Sequence, residues 1–232
     1  MERMHEVPQR GASRQHRTEA LTASKIVDAA ITILDSEGEE ALTTRALAHA
    51  LATGAGAIYH HLGSKQAILA AAAAELVMRA IARKPEGGAP DADIRALMLT
   101  LFDAIDEHPW VGAQLTDQPG QPALLELYEC IGEHVDALHV ARPSRFTAAS
   151  ALVNYLLGVA SQYAAAARYG RQVGRKRILA DIAADWCGQQ RAATHPFAHS
   201  TALELAEHDE REQFIAGVDF LLVGITTTTR PA

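Results

Sequence analysis

One stretch of the sequence, residues 41–74, combines several hydrogen-bond donors with an absence of acidic side chains. The stretch contains Arg45, Lys65 and the run Tyr59-His60-His61, and it has no Asp or Glu. Such donors bind phosphate oxygens and base edges, and a surface without carboxylates does not repel a polyanion. The whole chain has a net charge of −7. We therefore expect nucleic acid to bind at this stretch rather than over the entire surface.

A helix, a tight turn and a second helix are predicted to position these donors. Thr43 is suited to cap the first helix, and Leu47 and Leu51 lie four residues apart, so both can face inward. Gly54 is expected to supply the backbone freedom that the turn needs. This arrangement is typical of a helix-turn-helix, whose second helix enters a DNA major groove.

The second predicted helix is about two turns long, with Ile58 and Leu62 facing inward. Its small first residues, Ala55-Gly56-Ala57, would let the N-terminus approach a duplex closely, where backbone N–H groups can meet phosphates. Ser64 is predicted to cap the third helix, with Lys65 in its first position.

The run Leu42-Thr43-Thr44-Arg45-Ala46-Leu47-Ala48, the later Ile58-Tyr59-His60-His61 and the pair Ser64-Lys65 resemble the DNA-binding domain of the TetR family of bacterial repressors. The resemblance covers residues 21–75 most strongly. The remainder is similar in length and helical content, and more loosely in its ending, Asp219-Phe220-Leu221-Leu222-Val223-Gly224. The resemblance implies an operator-binding repressor, and repression is preferred to activation only because the family consists mostly of repressors.

The resemblance also implies which residues touch DNA: Thr43, Thr44, Arg45, Ala55, Gly56, Ala57, Tyr59, His60, His61 and Lys65. Two departures from the family pattern are visible. Leu62 replaces the usual aromatic residue or valine, and Ala55 and Ala57 carry no hydrogen-bonding group. Base reading must then rely on Arg45, His60, contacts with thymine methyl groups and DNA shape.

The composition predicts an all-α protein, because alanine is abundant and runs of β-branched residues are scarce. We expect three parts: a flexible N-terminal segment (1–20), a three-helix helix-turn-helix DNA-binding domain (21–68) and a helical ligand-binding and dimerisation domain (69–228). A further helix is predicted before the helix-turn-helix, over 22–36. The helix that begins after Ser64 is expected to continue to Arg83, before a Pro- and Gly-rich break over 84–90. Further helices are predicted over 91–107, 110–116, 123–139, 146–167, 176–190 and 208–225.

Two short segments are predicted to separate helices of the second domain. Arg142-Pro143-Ser144 is expected to precede the helix at 146–167, and Thr194-His195-Pro196-Phe197 to join the last two helices. The basic stretch 168–177 is interpreted as a solvated loop and helix start. Residues 146–167 carry no charge, but their many small and polar residues favour a helix buried on several sides over a membrane span. With a polar, arginine-containing N-terminus, this predicts a cytoplasmic protein without a membrane partner.

The family resemblance implies a homodimer in which the helix at 146–167 and the last helix pair with their copies. Two recognition helices must reach major grooves about 34 Å apart, so the operator is expected to have inverted-repeat symmetry. The candidate interface residues are Leu152, Leu156, Phe214, Val218, Leu221, Leu222 and Ile225. In the last helix these residues form a single apolar stripe, which a core-facing helix would also show.

The resemblance further implies a pocket for a small-molecule effector within residues 91–207. The candidate lining residues are Phe102, His108, Trp110, Gln114, Leu115, Tyr128, Asn154, Tyr155, Gln162 and Trp186. In the family, the short helix near His108-Pro109-Trp110 couples the ligand to the DNA-binding domain. Asn154 and Gln162 lie eight residues apart on one apolar helix, and either a pocket or a dimer seam would explain them.

Two other classes of function were weighed against a regulator. The sequence does not predict an enzyme, because phosphate-loop, HExxH and GxSxG motifs are absent. No catalytic residue, cofactor or metal is therefore expected. Cys130 and Cys187 are interpreted as ordinary thiols, whereas zinc or nickel sensing by some of the scattered histidines stays open. A helix-turn-helix that binds protein is the other alternative, and it would show no salt-dependent affinity for DNA.

Overall fold

The computed structural model describes residues 21–83, 87–117, 120–170 and 174–228, and the regular structure within these ranges is helical. The prediction of an all-α protein is confirmed. The segment 1–20, which we predict to be flexible, and residues 84–86 of the predicted break lie outside the described residues. Within the described ranges, no helix combines the length and the apolarity that a membrane span requires.

The first unit contains α1 (Ala23–Ser36), a 3₁₀ turn (Glu39–Ala41), α2 (Thr44–Ala50), α3 (Ala55–Leu62) and α4 (Lys65–Arg83). The predicted caps form: the N–H of Ala46 donates to Thr43 Oγ1 at 3.1 Å, and that of Ala67 donates to Ser64 Oγ at 3.1 Å. Leu47 and Ile58 are buried in the same core as the inner face of α1. The caps therefore begin α2 and α4 where the sequence predicted, and the buried Leu47 and Ile58 hold α2 and α3 against α1.

The turn between α2 and α3 differs from the prediction. Gly54 has φ −88° and ψ 146°, which is extended backbone that any residue adopts. The left-handed residue of this turn is Ala52, with φ +48°. The sequence suggested glycine because it is the usual left-handed residue, but here alanine accepts the strain and Gly54 serves as the N-terminal cap position of α3.

α4 passes through the predicted domain boundary at 68/69 as one uninterrupted helix. It packs on α1, where Arg79 Nη2 lies 2.5 Å from Asp28 Oδ1, and it also packs on α5 and α7. The guanidinium group of Arg79 is hydrogen-bonded to Asp28 and Glu75, and these bonds raise the pKa of Arg79. The two units thus share a rigid element rather than a linker.

The second unit contains α5 (Pro90–Glu107), α6 (Trp110–Asp117), α7 (Pro122–Ala137), α8 (Arg142–Gly170), α9 (Arg175–Trp186), α10 (Gln189–Thr194), α11 (Pro196–Glu207) and α12 (Glu210–Thr228). α5, α7, α8 and α12 bury their inner faces in one continuous core with α4. α6 lies against α8 in the most extensive helix–helix contact of the described chain. There a Cβ added at Gly112 would overlap the carbonyl oxygen of Ala160, so glycine permits the backbones to touch.

Both predicted separators are wrong, and for the same reason. Arg142-Pro143-Ser144 forms the first turn of α8, and Pro196 begins α11, a helix that the sequence analysis missed. Proline lacks only an N–H, which is unpaired in the first turn of a helix anyway. A proline that looks like a break can therefore start a helix, and the real break before α8 contains His139 with φ +57°.

Candidate DNA-binding surface and ligand cleft

The donors singled out in the sequence lie together on the exposed side of α2 and α3. Arg45, Tyr59, His60 and His61 are exposed, whereas Ile58 between them is buried. The described side chains of the second helix thus divide as predicted; that of Leu62 lies outside the described residues. The result is a surface of donors on two short helices whose own sequences contain no carboxylate.

The N-terminus of α3 is open and small. Ala55 and Gly56 are exposed, Ala57 is half-buried, and a Cβ added at Gly56 would meet no atom within 4 Å. The helix N-terminus carries a partial positive charge and unpaired N–H groups, which favour an approaching phosphate. The absence of bulky side chains here lets a duplex approach the backbone itself.

Two of the predicted contact residues also have roles within the protein. The oxygen of Thr43 accepts the capping bond of α2, and Lys65 Nζ donates to the carbonyl oxygen of Glu39 at 2.7 Å. Thr44 is half-buried beside them. Lys65 is exposed, so its ammonium group can keep this bond and still face a phosphate with its remaining protons.

A cleft of about 560 Å³ opens in the second unit between α5, α8, α9 and the turn from α11 to α12. Its apolar wall consists of Phe102, Tyr163, Leu179 and Ala206. Its polar rim consists of Asp103, Asp106, Lys176, Glu207, His208, Asp209, Glu210 and Arg211. The cleft therefore offers an aromatic and aliphatic wall with charged groups of both signs at its mouth.

The aromatic wall is the end of a row of four packed rings. Phe102 contacts Tyr163 edge-on at 5.5 Å between ring centres and stacks on Phe214 at 4.7 Å, and Tyr155 stacks on Phe214 at 5.2 Å. Tyr155 Oη donates to the carbonyl oxygen of Phe214 at 3.2 Å, and burial raises the pKa of Tyr155, which keeps this hydroxyl protonated. Interlocked rings with satisfied hydroxyls make this wall rigid.

The rim of the cleft is ordered by charged hydrogen bonds. Arg211 Nε donates to Asp103 Oδ1 at 2.8 Å, and this bond raises the pKa of Arg211. Tyr163 Oη donates to Glu210 Oε2 at 2.6 Å, while the N–H of Glu212 donates to Asp209 Oδ1 at 2.9 Å. These contacts fix the start of α12 against α5 and α8.

A second, much smaller cavity lies in the core under α6. Its volume is about 10 Å³, and its lining is entirely apolar: Leu76, Val77, Leu101, Ala104, Ile105, Val111, Leu115, Leu127 and Leu156. A space of this size holds about one water molecule, and an apolar space of this kind stays dry. As folded here, the space beneath α6 is closed to a small molecule.

Of the candidate effector residues, the structure brings only Phe102 to the large cleft. Tyr155 supports the aromatic wall from behind, and Tyr128 stacks on Phe146 at the α7–α8 contact. Leu115 lines the small cavity, and Asn154 and Gln162 are exposed on α8. Trp186 ends α9, where its carbonyl oxygen contacts His199. Gln114 is buried in α6. The sequence analysis missed Tyr163, although it lies eight residues after Tyr155 on the same helix face.

His108 and Trp110 contact a residue that the sequence analysis also missed. His108 Nδ1 and Trp110 Nε1 both lie within hydrogen-bond distance of one oxygen, Asp35 Oδ1, at 2.8 and 2.7 Å. Asp35 belongs to α1 of the first unit, more than 70 positions earlier in the chain. No local pattern around Asp35 could have revealed this contact.

The candidate interface residues Leu152, Leu156, Phe214, Val218, Leu222 and Ile225 are buried within a single chain, and Leu221 is half-buried. They form the protomer core, which corrects their predicted place in an interface; the faces that stay exposed are the opposite faces of the same helices. Over 154–165 and 213–227, the exposed residues are Asn154, Gly158, Ser161, Gln162 and Ala165 on α8, and Gln213, Ala216, Phe220, Val223, Gly224 and Thr227 on α12. Within a single chain, α8 packs on α5, α6, α7, α9 and α12 and keeps one face exposed.

In the described residues, no group of three or more histidine, cysteine, aspartate and glutamate side chains is placed to hold a metal ion. Cys130 is buried and Cys187 is exposed, both as free thiols.

Known proteins resemble this chain over almost its whole length. Residues 26–72 match the family model of bacterial regulatory proteins of the tetR family. A solved TetR-type transcriptional regulator from Streptomyces coelicolor is 38% identical with a TM-score of 0.78, and the match covers 91% of this chain and all of the other. An HTH-type transcriptional regulator of Saccharopolyspora erythraea is 28% identical over 222 residues, 93% of this chain and 89% of that protein. ActR of Streptomyces coelicolor, solved with actinorhodin, shares the fold at 21% identity and a TM-score of 0.74, over 91% of this chain and 98% of ActR.

Proposed function

Because the chain belongs to the TetR family of bacterial regulatory proteins and is a DNA-binding transcriptional regulator, we propose that it represses transcription as a homodimer on an inverted-repeat operator. A small molecule bound in the large cleft releases it from DNA. The observation that carries the proposal is the exposed, carboxylate-free surface of α2 and α3 in an otherwise acidic protein.

The proposed DNA contacts combine the family resemblance with the exposure of each side chain. Arg45 is suited to a guanine edge or a phosphate, and Tyr59 and His61 are suited to phosphate and sugar. With the open N-terminus of α3 in the major groove, the methyl groups of Ala55 and Ala57 would meet thymine methyl groups. Sequence preference then rests on few hydrogen bonds, and DNA shape contributes the rest.

Selection of bound sequences from randomised DNA tests the DNA-binding part of the proposal. The protein is expected to enrich an inverted repeat, with affinity that falls steeply as salt rises, because counterions are released from the phosphates. Arg45→Ala should weaken binding to the repeat by about tenfold or more. Arg177→Ala is the matched control, because Arg177 lies on α9 and pairs with Asp181. Enrichment of no sequence by the folded protein would contradict the proposal.

The exposed faces of α8 and α12 support a dimer that forms through these two helices. Tyr155 of α8 contacts Phe214 of α12, so the two helices pack against each other. Over 154–165 of α8 and 213–227 of α12, no exposed residue is charged in a chain of which 21% is charged, and the exposed residues include Phe220 and Val223. An uncharged surface with exposed large apolar residues is typical of an interaction site, and two recognition helices require a second copy.

Asn154 and Gln162 are assigned to this dimer seam rather than to the effector site. Both are exposed on the outward face of α8, and neither lines the cleft. Small residues between them, including Gly158 and Ser161, would let the α8 helices of two copies approach closely. The two amides can then hydrogen-bond across the seam.

Size supports the large cleft as the effector site. Pockets for small molecules usually have volumes of about 300–1,000 Å³. The volume of the large cleft lies within this range, and that of the cavity under α6 lies far below it. The structural neighbour ActR has been solved with actinorhodin and with (S)-DNPA, so this fold accommodates small molecules in that protein. The aromatic wall and charged rim suit a planar, partly apolar molecule with polar substituents.

Filling the cleft tests the effector part of the proposal. A panel of planar aromatic compounds is screened for release of the selected operator, and Leu179→Trp is expected to abolish release by any active compound because the indole occupies the cleft. Leu125→Trp, at an exposed position of α7, is the matched control. Release that persists unchanged in Leu179→Trp would contradict the cleft as the effector site while leaving DNA binding intact.

A further inference from the structure

One carboxylate of the first unit (α1–α4), from here on the DNA-binding unit, is bound by two donors of the second unit (α5–α12), from here on the effector unit. Asp35 lies in the last turn of α1, and its Oδ1 accepts from Trp110 Nε1 at 2.7 Å and contacts His108 Nδ1 at 2.8 Å. The His108 side chain is 13% exposed and that of Asp35 is 34% exposed. Partial shielding from water strengthens such bonds, and an ionised acceptor strengthens them further.

The two donors belong to different helices. His108 is the C-terminal cap residue of α5, and Trp110 is the first residue of α6, with Pro109 between them. Asp35 therefore contacts the end of one helix and the start of the next. A movement of either helix relative to α1 must lengthen at least one of the two bonds.

The α5 side of this contact leads to the cleft. Phe102 and Asp106 line the cleft within the last two turns of α5, directly before His108. A helix is stiff over two turns because its backbone hydrogen bonds link each residue to the next turn. A molecule that displaces Phe102 or Asp106 therefore also displaces His108.

On the α6 side of this contact, the helix packs closely on α8 but leaves one buried polar atom without a hydrogen bond. Gly112 touches the backbone of Ala160 on α8, so α6 cannot move closer to α8. In the part of the chain that the structure describes, Gln114 Oε1 is buried in α6 without a hydrogen-bond partner. A buried, unsatisfied amide oxygen raises the free energy of this arrangement, and a shift of α6 towards solvent would relieve it. A shift of α6 away from α8 therefore costs less free energy than a shift towards it.

We propose that Asp35 is the positioning residue through which α5 and α6 set the orientation of the DNA-binding unit, so that displacement of these helices changes operator affinity through Asp35. The inference rests on the proposed function and adds a residue in α1 that links the two units. Coupling between distant sites requires an element with two arrangements that both sites influence, and the α5–α6 corner is that element.

A double-mutant cycle tests the coupling without a known effector. Gly112→Ala adds a Cβ that overlaps the Ala160 carbonyl oxygen, which forces α6 away from α8 and imitates its displacement. We expect Gly112→Ala to change affinity for the selected operator by about fivefold or more when Asp35 is present, and by less than about twofold in Asp35→Ala. An equal change in both backgrounds would overturn the inference.

Asp28→Ala is the matched control for this cycle. Asp28 is also a carboxylate of α1, but its partner is Arg79 of α4, whose other ion-pair partner is Glu75 of the same helix rather than a side chain of α5 or α6. The effect of Gly112→Ala is expected to persist in Asp28→Ala. Loss of the effect there too would mean that any weakening of α1 removes the coupling, and it would overturn the specific role of Asp35.

Trp110 itself provides a second measurement that does not depend on Gly112→Ala. Trp186→Phe leaves Trp110 as the only tryptophan of the chain. Operator addition is expected to shift Trp110 emission in this background and in Trp186→Phe with Asp28→Ala, but not in Trp186→Phe with Asp35→Ala. A merely structural Asp35 would leave the operator-induced shift in place.

The outcomes separate this inference from the proposed function. If no operator is selected, the proposed function fails and the inference fails with it. If the operator binds but Trp110 emission does not respond, or responds equally without Asp35, only the coupling role of Asp35 is overturned.

Discussion

The two units of this molecule build their functional surfaces in different ways. In the DNA-binding unit, the candidate contact residues all lie within residues 43–65, on two short consecutive helices and the start of a third. In the effector unit, the cleft is assembled from α5, α8, α9 and the α11–α12 turn, over positions from 102 to 211. The first surface is a local motif and the second is a product of packing, so only the first can be located from neighbouring residues.

The same contrast occurs within α12. Its inner stripe, which includes Phe214 and Val218, is the stronger sequence signal, yet the protomer core buries it. Its outer face, with Phe220 and Val223, looks irregular in the sequence and remains exposed. An apolar stripe shows that a face is buried, but it does not show whether the same chain or a second copy covers it.

The largest effect is expected from a charge on the proposed dimer face. Phe220→Asp would bury an unpaired carboxylate in each copy, at a cost of about 3–5 kcal/mol, and should raise the dimer dissociation constant by at least about 100-fold. Phe197→Asp is the control, because Phe197 on α11 is 79% exposed and Phe220 is 80% exposed. Analytical ultracentrifugation measures the dimer dissociation constants of the two variants. A dimer unaffected by Phe220→Asp would place the interface elsewhere.

A charge on the DNA-binding surface should separate binding from stability. Gly56→Asp has open space and adds a carboxylate near the N-terminus of α3, where it stabilises the helix by about 0.3–1 kcal/mol. The same charge faces the phosphates, so operator affinity should fall by about 10- to 100-fold. Gly56→Asn is the uncharged control. Thermal unfolding and operator titration are measured together, and equal losses in both variants would argue for a steric effect instead.

Packing of α6 on α8 should be sensitive to a single methyl group. Gly112→Ala forces two backbones apart and is expected to lower the free energy of unfolding by about 1–3 kcal/mol. Gly132→Ala, in α7, meets no atom within 4 Å and should raise it by about 0.5–1 kcal/mol. Denaturant titration compares the free energies of unfolding of the two variants. If both glycines responded alike, helix propensity rather than close approach would explain Gly112.

The smallest effect is expected from a cap in the DNA-binding unit. Thr43→Ala removes the acceptor of the Ala46 N–H and should cost about 1 kcal/mol of stability. Thr22→Ala removes the equivalent cap of α1, where the N–H of Lys25 donates to Thr22 Oγ1 at 3.3 Å, and it should cost a similar amount. Operator affinity is expected to fall more in Thr43→Ala, because α2 carries Arg45. Equal operator affinities would confine Thr43 to a structural role.

Several structural features followed directly from the sequence. The caps at Thr43 and Ser64 and the inward positions of Leu47 and Ile58 depend on residues within one or two helical turns. Pro143 and Pro196 gave the wrong prediction, because a proline in the first turn of a helix and a proline in a loop look alike without their backbone angles. The left-handed Ala52 gave no sequence signal at all.

By itself, the sequence determined the all-helical class and the position of the helix-turn-helix, because capping, helical spacing and local charge act between near neighbours in the chain. Only the tertiary structure decided which side of α8 and α12 is left exposed, which residues line the cleft, and that Asp35 meets His108 and Trp110. Such contacts join residues tens of positions apart. Their formation depends on how whole helices pack, which no single stretch of sequence specifies.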